Sequence, residues 1–196
     1  FLATGADTIG DGVTSLGSTL VLKILSASPV FSPQHGVYSH RLGDQWLVGG
    51  ASNCGGKILL HYFSQQQLDQ MTPLLRPDQP TDLDYYPLPG PGGERFPFND
   101  PTMKPRLNPR PQNDVEFFQG ILEGIARTEA RGYQLLASLG SQYPTSIRSV
   151  RRGARNQAGT QIRNKMLNTT LLPATHDQAA YGTALLARQG WIQLQL

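Results

Sequence analysis

Two β-rich runs within residues 12–25 are separated only by Gly17-Ser18-Thr19, and this restricts the chain to folds that open on a tight hairpin. Val13, Leu20, Val21, Leu22, Ile24 and Leu25 supply the apolar and β-branched side chains of the two runs. Such a turn presents backbone N–H groups and two hydroxyls, which is chemistry suited to a phosphate. Gly, Ser and Thr are also ordinary turn formers, so a bland surface hairpin remains open on these residues alone.

Further along, residues 36–42 and 45–50 flank a Gly43-Asp44 turn, and together with the first hairpin they predict an antiparallel meander. A helix is predicted to begin at Lys57, just after Gly55-Gly56, where its first amides offer a place for an anion. Residues 71–111 change character: prolines and glycines such as Pro87, Pro89, Gly90, Pro91, Gly92 and Gly93 leave no helical or strand period, which predicts an ordered or semi-ordered connection outside the core. Phe117, Ile121, Leu122, Ile125, Tyr133, Leu135, Leu136 and Leu139 then recur at helical spacing between Asp114 and Gly140, and predict one long amphipathic helix. A strand at 147–150, a helix at 158–167, a strand at 170–173 and a helix at 178–189 complete the order.

A chain of 196 residues with 38% hydrophobic content can bury a substantial core, so one domain or one lobe of a larger enzyme is expected. The net charge of +3 and charged fraction of 16% name no polyanionic partner. Cys54 stands alone, which removes internal disulfides and leaves it no neighbouring metal ligands; a structural role is expected of it. His35, His40, His61 and His176 show no ligand spacing, so no metal site is expected. No apolar run reaches a membrane span, and no membrane partner is expected. No Gly-Lys-Ser/Thr signature of a P-loop occurs.

Five further stretches follow the hairpin: Gly49-Gly50-Ala51-Ser52-Asn53-Cys54-Gly55-Gly56, Gly93-Glu94-Arg95-Phe96-Pro97-Phe98-Asn99-Asp100-Pro101, Leu122-Glu123-Gly124-Ile125-Ala126, Gly153-Ala154-Arg155-Asn156, and Gln178-Ala179-Ala180-Tyr181-Gly182-Thr183-Ala184. In that order and spacing the chain resembles the carboxy-terminal lobe of the FGGY family of carbohydrate kinases along nearly its whole length, and within it the pentulose kinases of cyanobacteria and plants. The resemblance implies an α/β, ribonuclease-H-like fold, a mixed sheet with flanking helices whose first strand is missing or lies before Phe1. It implies that residues 1–196 form the nucleotide-binding lobe, with 71–111 as a connection inside it and the amino-terminal lobe absent.

The same resemblance assigns sites. Gly17, Ser18 and Thr19 match the turn that reaches the terminal phosphates of ATP, with Ser and Thr in swapped order. Gly50 is expected to allow close approach of those phosphates and Asn53 to donate a side-chain hydrogen bond, against the alternative that residues 49–56 are a tight loop into a helix. Gly153, Ala154 and Asn156 fall where these kinases carry a Gly-Gly-Gly-Ala-Lys/Arg-Asn loop under the adenosine. Two of those glycines are here Arg151 and Arg152, and Gly159 stands where the nearest relatives place a stacking Trp, so a weak or permissive base pocket is expected. Glu94 and Arg95 admit an active-site reading, but Phe96, Pro97 and Phe98 beside them favour an anchor.

The activity implied is transfer of the γ-phosphoryl of ATP, with Mg2+, to a primary hydroxyl of D-ribulose or D-xylulose, in the cytoplasm, or the chloroplast stroma if the source is a plant. The general base of these kinases is an Asp expected upstream of Phe1; Asp7 and Asp11 do not match it, so no catalytic residue is assigned and the chain alone is expected to be inactive. Two alternatives stand beside this. One is a degenerate kinase-like scaffold or regulatory module. The other is a nucleic-acid surface built from Arg148, Arg151, Arg152, Arg155 and Arg163, opposed by the lack of interleaved aromatics.

Overall fold

The computed structural model describes residues 1–193; residues 194–196, the end of the lobe as bounded from sequence, lie outside the described residues. The first run becomes β1 (Asp11–Leu16) and β2 (Leu20–Ser26), joined by the 17–19 turn with Leu16 paired to Leu20. Then come β3 (Tyr38–Leu42), β4 (Gln45–Ser52), α1 (Lys57–Tyr62), α2 (Gln65–Met71), α3 (Asp114–Ser138), β5 (Ser146–Val150), α4 (Gln157–Leu167), β6 (Thr170–Leu172) and α5 (Ala179–Gln193).

The six strands form one sheet in the order β3-β4-β2-β1-β5-β6. β1 runs antiparallel to β2 and parallel to β5, and β5 is parallel to β6. β1 takes a central place, with β2 and β5 on its two sides. The order corrects the meander, because β2 pairs with β4 and β3 lies at the outer edge. Composition explains the swap. β4 carries Trp46, Leu47, Val48 and two glycines into a mostly buried position, whereas Ser39, His40 and Arg41 of β3 tolerate an edge.

The long helix predicted from periodicity is α3, capped by the Asn113 side chain, which accepts from the Val115 N–H at 2.9 Å, and followed by Gly140 at φ 106°. Phe117, Phe118, Ile121, Tyr133 and Leu136 of α3 pack on Leu20, Leu22 and Ile24 of β2. The connection is more than expected from its composition: Leu75, Tyr85, Phe96 and Leu107 join this core, and Leu88 packs with Cys54 and Tyr86. The helix leaves room for it by lacking side chains. A Cβ at Gly120 would meet Leu83 at 2.8 Å, one at Gly124 the Tyr85 carbonyl at 2.8 Å, and one at Gly132 the Phe96 ring at 2.7 Å.

A buried polar knot joins sheet and helices. Glu129 of α3 is fully buried and receives hydrogen bonds from Arg163 of α4 at 2.6 and 2.7 Å and from the Thr14 hydroxyl of β1 at 2.6 Å. Tyr133, hydrogen-bonded to Thr14 at 2.9 Å, is buried with them; burial and then the Glu129 charge push its phenol well above the usual range. Removing one partner of such a pair leaves a buried charge uncompensated, at a cost of about 3–5 kcal/mol. Arg163→Met is therefore expected to lose about that much stability in urea denaturation, and adding Glu129→Leu to recover most of it.

Lys23 is the counterpart on β2. Among the described residues its Nζ has no hydrogen-bond partner; it sits 3.8 Å from the centroid of the Tyr38 ring, and burial lowers its pKa to about 8. Between that value and the ordinary 10.5 the unfolded chain holds a proton that the folded chain has released, so this lysine makes folding more favourable as pH rises. The stability difference between wild type and Lys23→Met is expected to grow in favour of wild type across that interval, read by urea denaturation at successive pH values.

Candidate nucleotide-binding edge

β4 runs antiparallel to β2 and hence parallel to β1, so β1, β4, β5 and β6 all end at the same edge of the sheet. The segments leaving those four strand ends build the candidate site. The 17–19 turn is at its centre, with Ser18 exposed and Gly17 and Thr19 half-buried. Among the described residues neither the Ser18 nor the Thr19 hydroxyl hydrogen-bonds to the protein, whereas Gly17 N–H donates to the Thr19 carbonyl at 3.2 Å and fixes the turn.

Gly55 and Gly56 brace the turn from one side. Gly56 N–H donates to the Gly17 carbonyl at 2.8 Å and Lys57 N–H to the Ser18 carbonyl at 3.3 Å. The anion site expected at the start of α1 is thereby corrected, since those amides are spent on the turn and α1 has a mere six residues. A Cβ on Gly55 would stand 2.6 Å from the Ser18 carbonyl oxygen. Gly55→Ala is expected to destabilise by about 1–3 kcal/mol and to speed amide exchange in the 17–19 turn while leaving α3 protected.

On the other side, Gly153 presses against β1: a Cβ there would meet Leu16 at 2.8 Å. Arg151 precedes it at φ 76°, ψ −179°, a region that is essentially glycine's alone and costs another residue about 1–3 kcal/mol. The backbone thus keeps a glycine conformation at a position where the sequence has arginine. Ala154 sits in the same single turn (Arg152–Arg155), and Asn156 caps α4, its Oδ1 accepting from the Gly159 N–H at 2.9 Å. Beyond them opens a cleft of about 490 Å³ lined by Arg151, Ala154, Arg155 and Thr160 on one wall and by residues 171–178 on the other. Arg155 and Asp177 face each other at 3.5 Å.

Gly50 and Asn53 are not brought into this cleft. Gly50 faces the Phe96 ring, which a Cβ would approach to 2.3 Å. Asn53 Nδ2 donates to the Gly93 carbonyl at 2.8 Å and Asn53 Oδ1 accepts from Arg95 Nε at 2.7 Å, so its side chain is committed to the connection. Glu94 is the anchor there: buried, it accepts from the Ser52 hydroxyl (2.6 Å), the Tyr86 hydroxyl (2.6 Å), and the N–H groups of Asn53 (2.7 Å) and Arg95 (2.8 Å). Burial and then the Glu94 charge push the Cys54 thiol up, away from reactivity.

The arginines expected to form one basic surface divide. Arg163 is buried on Glu129, and Arg148 bridges to Asp11 at 3.2 Å, leaving Arg151, Arg152 and Arg155 outside. Asp11 in turn is bound from several sides: burial opposes its charge, but Ser146, the N–H groups of Thr8 and Asp7, and Arg148 together hold its carboxyl below the usual range. Sequence reasoning placed a strand at 170–173 but not the cleft wall that 171–178 forms, where His176 lies against Tyr181 with ring centroids 3.8 Å apart, because the short loop after that strand carries no period and no motif chemistry.

A six-stranded mixed sheet flanked by helices, with its glycine-braced turn at the shared strand edge, defines a ribonuclease-H-like lobe of the sugar-kinase type. The chain belongs to the FGGY family of carbohydrate kinases: the family's C-terminal domain matches residues 12–191. Among solved structures it is similar to a xyloylose kinase from Brucella ovis, with 25% identity and a TM-score of 0.81 over 96% of this chain and 41% of that one. A ligand-bound xylulose kinase from Lactobacillus acidophilus has 15% identity and a TM-score of 0.80 over 98% and 41% of the two chains. A gluconate kinase from Lactobacillus acidophilus has 16% identity and the same TM-score over 96% and 40%. The chain spans about two fifths of the length of the solved kinases it matches. No helix among the described residues is long and apolar enough to cross a membrane.

Proposed function

We propose that the chain is the nucleotide-side lobe of an ATP-dependent sugar kinase that moves the γ-phosphoryl of ATP to a primary hydroxyl of a pentulose, D-ribulose or D-xylulose. The observation that carries this is the 17–19 turn, braced by Gly55-Gly56, with Gly153 pressed on Leu16 just before it and Arg151 linking its neighbourhood to the 490 Å³ cleft. The unpaired Ser18 and Thr19 hydroxyls and the turn backbone would hold the terminal phosphates, where preorganised donors count most in phosphoryl transfer. Ala154, Arg155 and Asn156 would border the adenosine. Gly50 and Asn53 would act from behind, through the packing of β4 and the connection, rather than by touching nucleotide. Mg2+ enters with the nucleotide, since it is held largely by substrate phosphates and water; among the described residues no cluster of three His, Cys, Asp or Glu side chains offers it a separate site.

The sugar side of the reaction would come from an amino-terminal lobe, and the base from an Asp preceding Phe1. Closure of two lobes would exclude water from the transfer. The fold does not choose the sugar, because similar lobes occur in a xylulose and a gluconate kinase. One observation favours a second reading: the strained Arg151 at a glycine-type position, together with Gly159, fits a degenerate lobe kept as a scaffold.

Full-length protein is expected to release ADP in the presence of Mg-ATP and D-ribulose or D-xylulose, whereas the 196-residue chain alone should bind Mg-ATP by calorimetry without turnover. Binding by neither would remove the kinase reading and leave the scaffold. Pentulose-dependent turnover by the purified chain alone would overturn the division of labour between two lobes.

A further inference from the structure

Arg151 is set by the fold from both sides. Before it, β5 is locked to β1 with Val150 paired to Ser15; after it, Gly153 is pressed onto Leu16, and the Ala154 N–H donates to the Arg151 carbonyl at 3.1 Å. The chain must turn at residue 151, and it does so at φ 76°. This conformation sends the side chain towards the hairpin: Arg151 Cγ lies 3.9 Å from where a Cβ on Gly17 would stand. The aliphatic stem therefore rests beside the 17–19 turn, at the corner where that turn meets the cleft.

Arg148 bridges to Asp11, Arg155 to Asp177 and Arg163 to Glu129, whereas Arg151 and Arg152 make no ion pair among the described residues. Of these two, the one that lines the cleft is Arg151. Its guanidinium is a planar fork of donors that suits phosphate oxygens in pairs. The cleft beyond offers little to a base, because its one aromatic lining residue is His176, already stacked on Tyr181.

We propose that Arg151 is a nucleotide-binding residue that grips the polyphosphate of the phosphoryl donor against the 17–19 turn, so that this lobe recognises its donor chiefly by phosphate rather than by base. The inference rests on the kinase reading above, which it deepens. Arg151 stands in place of backbone space, supplying a charge where glycine would supply room, and the strain at φ 76° is the accompanying cost.

The test uses full-length protein, its Arg151→Gly and Arg151→Lys variants, and three probes in calorimetric titration: Mg-ADP, adenosine and tripolyphosphate. Arg151→Gly is expected to lose about tenfold or more in affinity for Mg-ADP and tripolyphosphate, the loss of one charge-assisted contact, with adenosine unchanged. Its melting temperature should rise, because glycine relaxes the backbone, so weaker binding is not unfolding. Arg151→Lys should fall between the two, retaining charge without the fork. An Arg151→Gly variant that binds Mg-ADP as wild type does, or that loses adenosine in equal measure, overturns the proposal while leaving the kinase reading intact. Wild type that binds neither Mg-ADP nor tripolyphosphate removes both.

Discussion

The geometry of the candidate edge depends on a carboxylate far below it. Glu129 gathers Thr14 from the central strand, Arg163 from α4 and, through Thr14, Tyr133, all buried. A pair of this kind adds little net stability over a well-packed apolar substitute, because desolvation consumes most of the attraction. Its contribution is one of position. β1 and α4 can each sit against α3 in one register only, and the 17–19 turn and the Arg152–Arg155 turn are the respective extensions of those two elements. Arg163 Nη1 is buried without a partner among the described residues, so even this knot is incompletely satisfied there.

Glu94 does the corresponding work at the far end of β4. Among the described residues it forms no ion pair and is instead surrounded by hydroxyl and N–H donors from Ser52, Asn53, Tyr86 and Arg95. Hydrogen bonds to a charged acceptor are among the stronger ones in proteins. The strand end and the connection become one unit, and Gly55-Gly56, which brace the 17–19 turn, hang from that unit. Two buried acids thus hold the two sides of the site, and neither faces the cleft.

The element order, the long helix and the hairpin turn were legible in the sequence because each is written locally: periodicity in α3, a turn between apolar runs, glycine after the last helical turn. What was not legible involves distant partners. Thr14 and Glu129 are 115 residues apart, and no local pattern distinguishes an arginine bound for that pair from one bound for solvent. The partners of Asn53 were hidden for the same reason: Gly93 and Arg95 lie 40 and 42 residues away. The pairing of β2 with β4 depended on which of two strands could tolerate an edge, a comparison rather than a motif. Within the site, the turn and the Gly153-Ala154 segment were readable from residue types, whereas the cleft wall at 171–178 was not.

The gaps at Gly120, Gly124 and Gly132 carry a consequence for how the chain is made. Synthesis delivers the sheet's first four strands and the whole connection before α3. Until that helix emerges, Tyr85 and Phe96 lack the α3 face they pack against, and apolar side chains exposed in this way during synthesis invite misassociation. α3 is therefore the clasp of the nascent lobe: its arrival shelters the aromatic residues, delivers Glu129 to Thr14, and leaves the last two strands to add themselves to an edge already formed.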